Sequence, residues 1–190
     1  FDDSYLRVVL IQFVRLLTEG KEASMSKRSG SYVTMRDVVK EVGRDVTRFF
    51  LLMRSSDSHL DFDLDLAKKQ SSENPVYYIQ YAITRAAGLF RKLKEKQWSY
   101  NDCTAIANRE LLSTEFESIL LNELMRLPEV IESAAHNRAP QILANYLRET
   151  ANAFHSFYEN CDILSDDEKL RQARLGLCKA SSQVLTNGLA

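Results

Sequence analysis

Asn74-Pro75 constrains this chain more than any other pair of residues. A capping side chain followed by a proline, whose φ is fixed and which lacks an amide proton, marks the first turn of a helix and cannot sit in its middle. The apolar residues that follow, Val76, Ile79, Ile83, Ala86, Phe90 and Leu93, recur at spacings of three and four. A helix from Pro75 to about Lys96 therefore gathers them on one face. Amphipathic runs of the same period cover roughly 109–126, 128–137, 140–161 and 166–187. In the third, Leu143, Tyr146, Leu147, Thr150, Phe154, Phe157, Tyr158 and Cys161 form an almost unbroken stripe. No convincing strand falls after residue 71. Helices carrying one apolar stripe each must bury those stripes against one another, so residues 71–190 read as a helical bundle.

The first 70 residues have a different texture. Residues 6–17 are dense in Val, Leu, Ile and Phe, and Thr18-Glu19-Gly20-Lys21 supplies turn chemistry before a short second strand ending at Ser24-Met25-Ser26. Lys27-Arg28-Ser29-Gly30-Ser31 has the composition of a loop. Thr34 suits the N-cap of a helix from Met35 to Val42, with Asp37 three residues on and Gly43 at the stop. A second helix runs through Phe49 to Arg54, and Ser55 to Asp65 reads as polar and turn-like.

The 190 residues suffice for one core, or for one domain and a fragment of another. With 45% hydrophobic and 27% charged residues the chain has the balance of an ordinary globular protein. A formal net charge of -1 gives no global electrostatic footprint for nucleic acid, so any RNA contact must be local. Arg91, Lys92, Lys94 and Lys96 are one such patch, and equally the solvated end of a helix. Three cysteines without a CxxC pair suit a reducing compartment, the cytoplasm by default. The apolar stretch from Val8 to Leu17 is broken by Gln12 and Arg15 and is too short to span a bilayer. A start at Phe-Asp-Asp, with no leader, reads as a piece cut from something longer. No metal is expected: Cys161, Cys178, His136 and His155 lack ligand spacing. Asp61, Asp63 and Asp65 lack the glycine and terminal glutamate of a calcium loop, so a structural acidic turn is the better reading.

Ser24-Met25-Ser26-Lys27-Arg28-Ser29-Gly30 carries the chemistry. An ammonium, hydroxyls and exposed backbone N–H groups in one loop can converge on a phosphate. The spacing is not that of a P-loop, and on composition alone a solvated basic loop is the ordinary interpretation. The surroundings alter that. Met25-Ser26-Lys27-Arg28-Ser29-Gly30 followed by Tyr32-Val33-Thr34 resembles the second signature loop of class I aminoacyl-tRNA synthetases, generally Lys-Met-Ser-Lys-Ser. Arg48 to Ser55, Asp57 to Ala67, and Gln70 to Ala82, which includes Asn74-Pro75-Val76-Tyr77-Tyr78, are similar to bacterial arginyl-tRNA synthetases, as are Phe154-His155-Ser156-Phe157-Tyr158 and Asn187-Gly188-Leu189.

The resemblance implies a mainly α fold: a helical-bundle anticodon-binding domain at 71–190, preceded at 1–70 by a small α/β remnant of a Rossmann-type catalytic domain. It implies ATP-dependent ligation of arginine to its tRNA by the full-length enzyme, ATP being a substrate accompanied by Mg2+. Arginine tRNA would be the partner, with neither membrane nor DNA involved. Lys27 would stabilise charge developing on the departing pyrophosphate, with Met25 and Ser26 shaping the loop around ATP. Tyr78, Tyr81 and Arg85, spaced three and four apart, share one helix face beside the apolar stripe, where rings and a guanidinium suit unstacked anticodon bases and phosphates. Half-buried core tyrosines with wet hydroxyls explain the same spacing. Tyr158 matches a family aromatic near the anticodon, although its stripe accounts for it too.

The match departs from the pattern in places. Ser24 replaces the first signature lysine, and Ile83-Thr84 stands where the family usually has His-Ala. No His-Ile-Gly-His signature is present, so this chain alone is expected to make no aminoacyl-tRNA. A non-catalytic tRNA-binding module or paralogue is the first alternative, and a helical protein-interaction domain with no RNA role the second.

Overall fold

In a computed structural model the described residues are 8–22 and 33–190. The loop residues Met25, Ser26 and Lys27, and the expected end of the second strand, lie outside them.

Strand β1 (Val14–Thr18) turns through Glu19 and Gly20 into the two-residue β2 (Lys21–Glu22), then come helices α1 (Met35–Val42) and α2 (Arg44–Leu52). Thr34 caps α1 through a complete capping box with Asp37. The helix stops at Gly43, whose φ of 87° is easy only for glycine and whose N–H donates to the Val39 carbonyl at 3.0 Å. Both features match the sequence expectation.

Leu60–Asp63, expected to be a polar turn, is instead a strand, β3. It runs parallel to β1, with Leu16 opposite Phe62 and Arg15 opposite Asp61, giving the sheet order β2-β1-β3. The alternation Leu-Asp-Phe-Asp explains the pairing: Leu60 and Phe62 are buried, while Asp61 turns outward and takes a two-pronged bond from Arg15 at 2.7 and 3.0 Å. Asp63 caps the short helix α3 (Leu64–Lys68), and Asp65 accepts the Glu19 amide at 2.6 Å. The three alternating carboxylates thus hold the turn, the sheet and α3 together.

Asn74 and Pro75 open helix α4 (Pro75–Glu95) as expected, and Asn74 does so while buried. Its Oδ1 accepts the Val76 and Tyr77 amides, and its Nδ2 donates to the Ala67 and Lys69 carbonyls, so one side chain starts α4 and ties it to α3. The buried face of α4 is Val76, Ile79, Ala82, Ala86, Leu89 and Leu93, with Ile83 and Phe90 flanking it.

The bundle continues with α5 (Asp102–Ala107), a 3-10 turn at Arg109–Leu111, α6 (Glu115–Met125), α7 (Leu127–Asn137), α8 (Pro140–Asn160) and α9 (Glu168–Leu189). The run expected to be helical from about 109 begins only at Glu115, where Thr114 and Glu117 form a capping box that ends the 3-10 turn. Helices α4, α8 and α9 pack on one another around Ile79, Leu120, Leu147, Phe154, Phe157, Leu175 and Leu185, all 0–1% exposed. Beneath this core the Glu117 carboxylate, fully buried, meets Arg174 of α9 at 2.6 Å. Gln172 spans from α9 to the chain before α5, accepting the Asn101 amide and donating to the Ser99 carbonyl. Among the described residues no helix is long and apolar enough to cross a membrane.

Candidate nucleic-acid interface on helices α4 and α8

The four side chains picked from the sequence, Tyr78, Tyr81, Arg85 and Tyr158, come together. The first three rise along α4 and the fourth stands on α8, which packs alongside. The Arg85 guanidinium carbon lies 4.3 Å from the Tyr158 ring centre and 5.0 Å from that of Tyr81, so the cation touches two aromatic faces. Tyr77, one turn before Tyr81, stacks on it at 6.2 Å with planes 9° apart. Tyr81 is 43% exposed, whereas Tyr78 is half-buried and donates its hydroxyl to Asn152 Oδ1 at 3.3 Å. Burial, helped by Glu159 and opposed by Arg85, pushes the Tyr78 phenol above its ordinary range, so it stays protonated. Tyr78 is thus tied to α8, while Tyr81 is the more exposed of the two.

His155, Glu159 and Asn152 complete the site from α8; the sequence points to none of them as an RNA-binding residue and weighs His155 only as a metal ligand. His155 is buried and central. Its ring sits 4.4 Å from Tyr78 and 5.5 Å from Tyr81, tilted to the former and stacked with the latter. Its Nε2 lies 3.1 Å from the Tyr78 carbonyl oxygen, which can only accept, so Nε2 carries the proton. Its Nδ1 lies 3.0 Å from Arg85 Nη1, which can only donate, so Nδ1 is the bare acceptor. The imidazole is therefore neutral. Burial holds it below the ordinary histidine range; the Tyr78 carbonyl opposes that, Arg85 reinforces it and Glu159 partly offsets it.

Glu159 accepts from the same Arg85 nitrogen at 3.0 Å. With the guanidinium neutralised by a carboxylate and the histidine uncharged, the site has little net charge. An open groove of about 410 Å³, lined by Tyr77, Tyr81, Arg85, Asn152, Ser156 and Glu159 among others, runs over these groups. It adjoins a second groove of about 660 Å³ that shares Ser72, Tyr78 and Asn152 with it and adds Arg148.

The basic cluster has a local explanation. Lys92 and Lys94 lie in the last turn of α4, where cations complement the helix dipole. The Lys96 ammonium sits 4.3 Å from the Trp98 ring, whose plane also carries Arg171 at 3.9 Å. What hid the α8 half of the groove was distance in sequence: its bonds to α4 join residues 70 or more apart.

Comparisons with known proteins bear on this face. The DALR anticodon binding domain family matches residues 79–190, which include Tyr81, Arg85 and all of α8. An arginine–tRNA ligase of Coxiella burnetii (strain RSA 331 / Henzerling II) is 50% identical over 184 residues, 97% of this chain and 31% of the relative. That of Legionella pneumophila (strain Corby) is 48% identical over 189 residues, covering 100% of this chain and 32% of the relative. A solved structure from Campylobacter jejuni, described as an arginyl-tRNA synthetase, superposes with a TM-score of 0.79 at 32% identity, over 100% of this chain and 40% of that one. The arginyl-tRNA synthetase of Thermus thermophilus has the same fold, with a TM-score of 0.67 at 24% identity over 93% of this chain and 32% of that one. The chain spans about a third of the length of the curated relatives it matches. With the family match extending over more than half of its residues and similarity to arginine–tRNA ligases along its whole length, this chain belongs to the DALR anticodon binding domain family, in the form found in arginyl-tRNA synthetases.

Proposed function

We propose that this chain is the part of an arginine–tRNA ligase that reads the anticodon arm of arginine tRNA and contributes the second ATP-signature loop to the active site. One observation carries the reading: Tyr81 and Arg85, within residues 79–190 that match an anticodon binding domain, line a single groove together with the neighbouring Tyr77, and Tyr158 packs against Arg85. Residues 71–190 form the RNA-reading domain and residues 1–70 belong to the catalytic domain, which acts in the cytoplasm on ATP with Mg2+ and arginine. The exposed apolar side chains Val8, Leu10, Ile11 and Phe13, and the outer edge of β3, suit a sheet that continues into the rest of a longer protein.

Binding of the 190-residue chain to an arginine tRNA transcript and to a tRNA of unrelated anticodon, each at two salt concentrations, tests the reading. A preference of at least about tenfold that survives the higher salt is expected. Tyr81→Ala is expected to weaken the arginine complex by roughly five- to a hundredfold, the worth of one base–aromatic stack. Equal binding of both tRNAs that disappears with salt would leave only nonspecific attraction.

Met25, Ser26 and Lys27 form the ATP loop in this reading, with Lys27 acting in the transition state. In the full-length ligase, Lys27→Ala is expected to slow adenylate formation by roughly a hundredfold to a thousandfold while leaving tRNA affinity unchanged, measured by pyrophosphate exchange and by filter binding. A second reading, a non-catalytic tRNA-binding module, draws on Ser24 standing where the signature has lysine. Absence of pyrophosphate exchange in the full-length wild-type protein, with tRNA still bound, would favour it.

A further inference from the structure

His155 makes two bonds to α4 at once. Through Nε2–H it holds the α4 backbone at Tyr78, and through Nδ1 it accepts from Arg85, which lies against the Tyr81 and Tyr158 rings. We propose that His155 is the positioning residue of the RNA groove: its neutral imidazole holds Arg85 beside the Tyr81 and Tyr158 rings, and a proton at Nδ1 releases Arg85, so that RNA affinity falls in acid. The inference rests on the anticodon-reading function proposed above and adds to it the group that sets the groove's geometry.

The chemistry follows from the donor inventory. Arginine has no acceptor, and a protonated imidazole has none either, so the two N–H groups 3.0 Å apart would repel and one side chain would have to leave. His155 is buried and fixed at its other nitrogen, whereas Arg85 has a long flexible stem and an exposed alternative in Glu159. Arg85 is therefore the one that moves. The titratable and charged groups around the ring are Tyr78, Tyr81 and Arg85 from α4 and Glu159 from α8; of these only Glu159 opposes the cation with charge, and it already serves Arg85. Burial and Arg85 push protonation to a pH below the ordinary imidazole value near 6.5, leaving the groove intact at neutral pH.

The direction of the effect separates this device from general electrostatics. A surface that merely gains positive charge in acid binds a polyanion more tightly; here the added proton loosens the complex. Two substitutions separate the two bonds. His155→Asn places an amide oxygen near the Nδ1 position, keeping an acceptor for Arg85 that cannot titrate. His155→Gln places an amide nitrogen near Nε2, keeping the tie to Tyr78 while withdrawing the acceptor from Arg85.

The experiment measures the affinity of the 190-residue chain and both variants for an arginine tRNA transcript from pH 5.0 to 8.0 at constant ionic strength. In parallel, the imidazole 15N shifts of the free chain report the tautomer. The wild type is expected to lose roughly fivefold or more in affinity at the acid end. Both variants lose part of the site and should bind more weakly than wild type at pH 7.5; His155→Asn, which keeps the acceptor for Arg85, should stay flat with pH, and His155→Gln, which withdraws it, should bind roughly tenfold more weakly than wild type. Wild-type affinity that is flat or rises in acid overturns the inference, as does a His155→Gln variant that binds like wild type, or an Nδ1–H tautomer in a chain that binds tRNA. A wild-type chain that shows the Nε2–H tautomer yet binds no tRNA at any pH overturns the proposed function, and the inference with it, leaving His155 as a bridge between helices.

Discussion

Replacing Arg174 with methionine is expected to cost the fold about 3–5 kcal/mol, the usual penalty for removing one partner of a buried ion pair. Glu117 is fully buried and its two carboxylate oxygens are committed: Oε1 to Arg174 Nε at 2.6 Å, Oε2 to the Thr114 amide at 2.8 Å. Arg174 also donates to the Asp162 carbonyl at 2.7 Å, tying the chain between α8 and α9 to the same point. Burial drives the Glu117 carboxyl upward, but the Thr114 N–H and the guanidinium outweigh it and hold the group below its ordinary value. The carboxylate therefore stabilises the fold fully above an unfolded-state value near 4.3, and that contribution is lost as pH falls toward the lower folded value. In Arg174→Met the sign reverses: burial without the cation raises the folded value, so the variant should gain stability as pH is lowered from 7 towards 4. A Glu117→Leu, Arg174→Met double variant should recover to within about 1–2 kcal/mol of wild type, because no charge is then stranded. Urea unfolding followed by far-ultraviolet circular dichroism at pH 7 and 5 measures all three. A loss below about 1 kcal/mol in the single variant would mean the pair is solvated in solution.

Phe154→Ala is expected to destabilise the chain by a similar amount, about 3–5 kcal/mol, and Phe154→Leu by about 1 kcal/mol. The ring is 0% exposed, lies 6.1 Å from Tyr158 and 6.5 Å from Phe157, and approaches the His155 ring edge to face at 5.9 Å. Deleting it empties the floor under two groove residues at once. The alanine variant should therefore also bind tRNA less tightly at temperatures where it is still folded, whereas the leucine variant, which keeps the floor, should not. Urea midpoints together with tRNA titrations of the folded variants distinguish the two effects. A stability change under about 1 kcal/mol in Phe154→Ala would show that α4, α8 and α9 do not close over this ring.

The helices could be read from the sequence because each announces itself locally. Asn74-Pro75 opens α4 and Thr34 caps α1 where expected, and the stripe through Tyr146, Leu147, Phe154 and Phe157 is the buried face of α8. Local signals were also passed over. Thr114-x-x-Glu117 is a capping box that dates the start of α6 to residue 115, and Leu60-Asp61-Phe62-Asp63 alternates with the period of a strand. The strand was masked because its partner, β1, lies 46 residues earlier, and parallel pairing leaves no hairpin turn to betray it. The groove divides the same way. Spacing along one helix groups Tyr78, Tyr81 and Arg85, but nothing in the periodicity of α8 says that His155 and Glu159 will reach across to them. Tyr158 was picked through family likeness, not through its position on a stripe.

The pairing of Glu117 with Arg174 also joins parts of the chain that are made at different times. A chain emerging amino-terminus first exposes the Glu117 carboxylate, and the backbone at Ser99 and Asn101, long before Arg174 and Gln172 exist. At roughly 5–20 residues per second, the 57 residues separating Glu117 from Arg174 take several seconds to synthesise. During that interval Glu117 has no counter-ion, and the Ser99 carbonyl and Asn101 amide have no Gln172 to meet them. The buried ion pair, and the anchoring of the chain before α5 by Gln172, are thus completed only once α9 has been made.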